Sequence, residues 1–304
     1  AIDLQIFQTN FGSISILYGP RQIGKTASLK LYLSTVRDCE TLCFLDCSTY
    51  LDKRDLYQSI ANQIKGDTTL ILDEVQLVPE WHQALKTLYS EQLLQRCRVW
   101  CTGSEARHLI ESGERLPGRK GTGKVVFAKP WSFKKFVSLF APEKAQRLSS
   151  IDYQHVNQAW LDDQTLDLTS EWTSYLLTGG FPRCIAEYRT HETLSDATFK
   201  VYTDWIMGVW SKQRTPERSL RELASRLCRS LNSRTSYEAI GKGTDIRSPN
   251  TIRALLELQE DHFTIRTCSR YDLDSGGFMP AKQRKYYPID SFIATVWALI
   301  GKRV

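Results

Sequence analysis

The sequence predicts an α/β protein: a parallel sheet with helices on both faces, followed by a helical segment and a C-terminal winged-helix domain. Three observations carry that expectation. Between Ser13 and Ala128, short β-rich apolar runs alternate with amphipathic helical stretches, the rhythm of parallel strands joined by crossover helices. From Phe133 to about Trp210 the pattern is helical, broken at Gly179-Gly180-Phe181-Pro182. From Ser219 to Asp290 three short helical stretches precede two strand-like runs. The boundaries that follow are 1–132, 133–212 and 213–304.

Within the first region the strands are expected at Ser13–Tyr18, Thr41–Cys47, Thr69–Leu72, Arg98–Thr102 and Val125–Ala128. Helices are expected at Lys25–Val36, Asp55–Gln63 and Trp81–Leu94, and Gly113–Gly123 reads as a loop. In the last region the helices are Leu220–Leu231, Ser236–Ile240 and Pro249–Gln259, and the strands Phe263–Tyr271 and Lys285–Ile289.

With 304 residues, 24% charged and 41% hydrophobic, the chain has the composition of a soluble globular protein of two or three domains. The apolar run Phe292–Ile300 is about half of what a bilayer span needs, and no basic-then-apolar leader opens the chain, so no membrane partner is expected. The chain begins at Ala1 and stops at Val304, which suggests processing or truncation. Eight cysteines form no C-x-x-C pair. Cys39, Cys43 and Cys47 recur every four residues across a strand, where such spacing does not converge on one ion, so buried reduced thiols and a cytoplasmic setting are expected. The net charge of +6 is unevenly spread: residues 200–304 hold 18 Lys/Arg and 11 Asp/Glu, residues 1–199 hold 22 and 23. A polyanion partner is therefore sought in the C-terminal third alone.

Gly19-Pro20-Arg21-Gln22-Ile23-Gly24-Lys25-Thr26 matches G-x-x-x-x-G-K-[ST], entered by a strand and left by a helix that continues through Ala27. Glycines let backbone N–H groups curl round a β-phosphate, and the helix N-terminus adds partial positive charge. Lys25 supplies a cation for β- and γ-oxygens, and Thr26 a hydroxyl for Mg²⁺. The pattern is that of a P-loop NTPase binding ATP with Mg²⁺. Downstream, the apolar run Leu70-Ile71-Leu72 ends in Asp73 and Glu74. Asp73 at the strand tip suits the magnesium shell, and Glu74 suits orienting and polarising the attacking water. The strand Val99–Thr102 ends in Thr102-Gly103-Ser104, whose hydroxyls could sense the γ-phosphate or water. Ser104 is equally suited to capping a helix at Glu105–Ile110.

These blocks occur in order with Leu116-Pro-Gly-Arg119, Pro130-Trp-Ser-Phe133 and Thr178-Gly-Gly-Phe-Pro182. Together they resemble the AAA+/STAND-related ATPases of bacteria and archaea, in the branch related to origin-recognition ATPases. The resemblance spans Ile14 to Ile293. It implies a five-stranded sheet domain, a helical lid, a winged helix and ATP-dependent switching or assembly. It also implies that Pro182 belongs to a lid motif touching the adenine. Two departures stand out: only a short segment precedes the first strand, and the nuclease-like extension found in many members is absent after Tyr286–Asp290. A site completed by a neighbouring subunit would need an arginine finger, for which Arg96, Arg98 and Arg119 are the candidates.

In the basic third, Ser248 reads as the N-cap of a helix whose first turn presents Asn250, Thr251 and Arg253, as a recognition helix would to a major groove. Arg266, Arg270, Lys282, Arg284 and Lys285 would lie on the wing and contact phosphates of double-stranded DNA. The whole chain is thus expected to be an ATP-hydrolysing switch with a DNA-associated role. The alternative is an ATP-dependent signalling or scaffold protein that assembles protein partners, as a homo-oligomer or otherwise, with little turnover and no DNA contact.

Overall fold

The structure, a computed structural model, describes residues 2–36, 41–105, 122–150, 167–211, 213 and 215–302. The chain divides into two compact units, Ala1–Lys129 with Asp261–Phe263, and Pro130–Glu260 with Thr264–Val304.

The first unit is a five-stranded parallel sheet in the order β2-β3-β4-β1-β5. Its strands are β1 (Ser13–Tyr18), β2 (Thr41–Asp46), β3 (Thr68–Asp73), β4 (Cys97–Gly103) and β5 (Val125–Phe127). Every residue of β3 is buried, which is why its centre, Leu70-Ile71-Leu72, is continuously apolar rather than alternating. Helices α1 (Lys25–Leu33), α2 (Lys53–Gln63) and α3 (Trp81–Ser90) connect the strands. Asp52 starts α2 by accepting from the N–H groups of Arg54 and Asp55. The third helix stops at Ser90 instead of running to Leu94, and Glu91 to Arg96 turn back into β4. Cys43, Cys47, Cys97 and Cys101 are buried. Burial pushes the Cys47 thiol up to about 12 and the Cys97 thiol to about 11, so both stay protonated.

Strand register decides what meets at the carboxyl edge of the sheet. Tyr18 pairs with Gly103, and Leu72 with Cys101. Gly19, Asp73 and Thr102 therefore emerge side by side, where ligands of open α/β sheets sit.

The second unit begins with α4 (Phe133–Phe140), α5 (Pro142–Ser150), α6 (Thr169–Thr178), α7 (Pro182–His191) and α8 (Asp196–Ser211). It continues with α9 (Glu217–Ser230), α10 (Tyr237–Gly241), α11 (Pro249–Asp261), an antiparallel hairpin β6 (Ile265–Asp272) and β7 (Gly277–Pro288), and α12 (Ser291–Lys302). An isolated bridge, Thr235 to Arg284, adds a rudimentary third strand to the hairpin. Helix, bridge, two helices and hairpin follow one another in the order expected of a winged helix. The segments expected as separate regions, 133–212 and 213–304, cluster as one unit, and buried polar contacts show why. Trp210 Nε1 donates to the Leu255 carbonyl at 2.9 Å, and Gln259 Nε2 to the Ile206 carbonyl at 3.0 Å. Each of these joins the long helix α8 to α11, and a buried donor stripped of its acceptor would be costly.

The Gly-Gly-Phe-Pro break is fixed from the far end of the chain. Asp290, just ahead of α12, accepts from the Gly180 N–H and the Phe292 N–H, both at 2.9 Å. Gly179 has a φ of +56°, and a Cβ there would lie 1.7 Å from Asp290 Oδ1. Only glycine fits both demands.

Burial raises the Asp290 carboxyl to about 6, although its two N–H donors oppose the shift. A folded-state value above the unfolded one means that ionising Asp290 costs stability. The cost is absent below about pH 4, grows through the window from 4 to 6, and reaches about 3 kcal/mol above it. A carbon-detected NMR titration of the folded chain should place the Asp290 midpoint near pH 6. A midpoint at or below 4 would contradict the account of this joint.

Candidate functional site

The first unit gathers its polar side chains at one place on the sheet edge. The loop after β1 approaches β5 so closely that a Cβ on Gly19 would stand 2.2 Å from the Ala128 carbonyl oxygen. The loop then passes through Gln22 at φ +63° and Gly24 at φ +84° before α1 begins. Among the described residues, the N–H groups of Arg21, Gln22, Ile23 and Gly24 donate to no backbone carbonyl. Those of Lys25, Thr26 and Ala27 begin a helix, where N–H groups have no partner within the helix. The result is a cluster of donors at a positive helix end.

Lys25 is 5% exposed, and its ammonium donates to the carbonyls of Gly19 at 2.9 Å and Pro20 at 2.8 Å. Burial lowers its pKa to about 8, while Glu74 and Asp73 pull it back up. It stays mostly protonated at neutral pH. Thr26 Oγ1 donates to Asp73, 2.8 Å from Oδ2, and Thr102 Oγ1 donates to Asp73 Oδ1 at 2.5 Å. Thr102 Oγ1 in turn accepts from the Glu74 N–H at 2.9 Å. One buried threonine thus sets the position of both acidic residues.

Glu74 has a φ of +53°, an unusual conformation for its residue type, found where structure over-determines it. Its Oε2 accepts from Ser104 Oγ at 2.9 Å and from Gln76 Nε2 at 2.5 Å. Arg21 Nε reaches the same Ser104 hydroxyl at 3.4 Å. Ser104, 1% exposed, therefore lies in the acidic cluster itself. Sequence reading missed Gln76, whose role shows only in its contacts to Glu74 and Ser104.

Of the arginine-finger candidates, Arg119 lies outside the described residues. Arg98 is taken up by its own unit: Nε donates to the Thr9 carbonyl at 2.5 Å, and the guanidinium lies 4.7 Å from the Phe11 ring centre. Arg96 pairs with Asp67 at 2.7 Å, at the amino-terminal end of β4.

In the second unit, Pro182 opens α7 behind the turn held by Asp290. Thr251 N–H donates to Ser248 Oγ, the capping contact expected for α11. Arg253, Arg270 and Lys285 line one cleft of about 1240 Å³ between α11, α10 and the hairpin, joined there by Arg234 and Arg284. Arg253 is paired with Glu257 at 2.7 Å. Arg266 lies on β6 opposite Tyr287, outside that lining. The side chain of Lys282 is not among the described ones. Arg234 escaped sequence reading because it lies in a loop between helices, with no pattern to mark it.

The residues at the sheet edge fit a magnesium-bound nucleoside triphosphate. The loop N–H groups and Lys25 suit phosphate oxygens, and Thr26 with Asp73 offers the hard oxygen donors that magnesium prefers.

Residues 12–137 match the family described as AAA domain, and residues 169–303 match a domain of unknown function, DUF8612. No curated protein matches the sequence. Among solved structures the chain is similar to the Orc1 protein of Aeropyrum pernix in complex with DNA, at 13% identity. That similarity covers 94% of this chain and 86% of the other, with a TM-score of 0.41. The Holliday junction branch migration motor RuvB of Thermotoga maritima gives 12% identity, 84% and 81% coverage, and a TM-score of 0.40. Cdc6p of Pyrobaculum aerophilum gives 11%, 95% and 88%, and 0.34.

Proposed function

We propose that the chain is an ATP-hydrolysing switch whose first unit, which matches the AAA domain family over residues 12–137, binds the nucleotide, and whose second unit binds nucleic acid. The observation that supports the first half most strongly is the chain of contacts Thr26–Asp73–Thr102–Glu74–Ser104 at the sheet edge.

In this reading the loop N–H groups from Arg21 to Thr26 receive the phosphates of ATP. Lys25 moves its ammonium from the Gly19 and Pro20 carbonyls onto β- and γ-oxygens. Thr26 and Asp73 would hold magnesium, which when bound neutralises charge on the phosphoryl oxygens. Glu74 orients a water through Oε1, since Oε2 is held by Ser104 and Gln76. As the water oxygen attacks the γ-phosphorus and the bond to the β-γ bridging oxygen breaks, Glu74 accepts the water proton. The products are ADP and inorganic phosphate. Thr102 serves as a positioning residue, because it touches both Asp73 and Glu74 and its burial keeps it from solvent. Pro182 is assigned to the adenine, and Arg119 to a finger offered to a neighbouring subunit of a homo-oligomer.

For the second unit, the order of elements supports a winged helix. Four of the six cations assigned to nucleic acid, Arg253, Arg270, Arg284 and Lys285, share one cleft, which supports contact with a polyanion. Arg266 would add a phosphate contact from the exposed side of β6.

Three measurements test this reading. Lys25→Ala should abolish ATP binding in calorimetry, whereas Glu74→Gln should keep binding and lower turnover by about 10²- to 10⁴-fold. A folded Lys25→Ala variant with wild-type affinity, or a Glu74→Gln variant with wild-type turnover, would remove the corresponding assignment. For the second unit, Arg266→Ala, Arg270→Ala and Lys285→Ala together should weaken DNA binding across all sequences. The slope of log affinity against log salt should flatten by roughly one unit per lost phosphate contact. A triple variant with an unchanged slope would contradict the phosphate assignment.

A further inference from the structure

The hairpin of the second unit carries a feature that contacts to a duplex backbone leave unused. Near its tip Tyr271 and Phe278 are register partners, with ring centres 5.2 Å apart at 74°. Tyr271 is 49% exposed, Phe278 72%, and Leu273 in the connecting turn 86%. Large side chains of this kind are usually buried, and here three crowd the end of a two-stranded ribbon. Tyr271 also lines the adjoining cleft, so tip and cleft are continuous. At about 1240 Å³ the cleft exceeds the roughly 300–1,000 Å³ of small-molecule sites, which favours a chain-like occupant. Its cations, Arg234, Arg253, Arg270, Arg284 and Lys285, outnumber its two carboxylates, Glu238 and Glu257. Arg284 further lies 4.2 Å from the Tyr237 ring centre, so a planar cation already stacked on an aromatic face borders the groove.

We infer that cleft and tip together form a site for single-stranded nucleic acid. Resting on the nucleic-acid reading of this unit, the inference narrows its ligand from any polyanion to one with unpaired bases. The cleft cations follow the phosphates, and bases leaving the cleft stack on Tyr271 and Phe278. A duplex keeps its base faces covered and offers only phosphates and groove edges, which leaves an exposed aromatic pair without a partner. A single strand offers phosphates and bare π-faces together, and any base will do, since each has such a face. An apolar protein surface would satisfy the tip but not the surplus of cations beside it.

The test is fluorescence anisotropy on the full chain with labelled oligothymidylate, oligouridylate and a duplex of the same length, over a salt series. Wild type should bind a single strand about tenfold or more tighter than the duplex. Combining Tyr271→Ser and Phe278→Ser should lower single-strand affinity by about five- to hundredfold and leave duplex affinity unchanged. Combining Tyr271→Trp and Phe278→Trp should restore the affinity, with indole fluorescence quenched on binding, a signature of stacking that a merely structural role would not give. Tighter binding of either oligothymidylate or oligouridylate than of the duplex supports the inference. Salt-sensitive binding with no loss in the serine variant, or equal losses on strand and duplex, would overturn this inference alone. If wild type binds none of the three probes in a salt-sensitive way, the nucleic-acid reading of the unit falls with it. If the serine variant instead dissociates an oligomer in sedimentation with nucleic-acid binding intact, the tip is a protein contact and the inference fails.

Discussion

The first unit depends on how one buried carboxylate is satisfied. Asp73 is 8% exposed, and a carboxylate so placed must have its oxygens hydrogen-bonded. It finds its donors in two hydroxyls from separate elements, Thr26 at the start of α1 and Thr102 at the end of β4. Both are in reach only because parallel register sets the end of β4 beside the end of β3 and brings the loop after β1 to the same edge. Thr102 then fixes the backbone of Glu74, and Ser104 and Gln76 fix its carboxylate. The proposed catalytic groups are held by the ends of rigid strands, so their geometry is a property of the sheet.

A second buried carboxylate does comparable work in the other unit. Asp290 holds the Gly179-Gly180 turn in a conformation that any side chain at Gly179 would prevent. Because burial raises its pKa, the joint carries an ionisation cost at neutral pH that a more exposed design would avoid. The neighbouring amide of Gln259 and indole of Trp210 tie the long helix α8 to α11 through main-chain carbonyls. These ties explain why the helical segment and the helix-and-hairpin segment after it behave as one unit, and one family match likewise runs through both, from 169 to 303.

The strands and the phosphate loop were legible in the sequence because their signals are local. Apolar runs, a complete G-x-x-x-x-G-K-T pattern, and an Asp-Glu pair at a strand end each occupy a few adjacent residues. In the parallel sheet strand ends were off by a residue or so, where side chains such as Thr68 and Cys97 are ambivalent, whereas β7 begins at Gly277, eight residues before the expected Lys285. Contacts over long sequence separations were hidden. Nothing near Asp290 announces a partner 110 residues away at Gly180, and Gln76 acquires meaning only when Ser104 is seen beside Glu74. The cleft was half legible: Arg253, Arg270, Arg284 and Lys285 stood out within the basic surplus of the C-terminal third, whereas Arg234 sits in a loop that no periodicity marks. The exposure of Tyr271 and Phe278 was likewise invisible, since aromatic residues in a strand ordinarily read as core.

The central claim is that the polar network at the sheet edge is an ATP-hydrolysing site dependent on magnesium. Phosphate release by the purified chain, followed with ATP in excess magnesium and again with the metal chelated, addresses it most directly. The account predicts steady turnover with magnesium and its loss on chelation, with turnover changed by adding single-stranded nucleic acid. Folded protein that neither binds nor hydrolyses ATP under any of these conditions would contradict it.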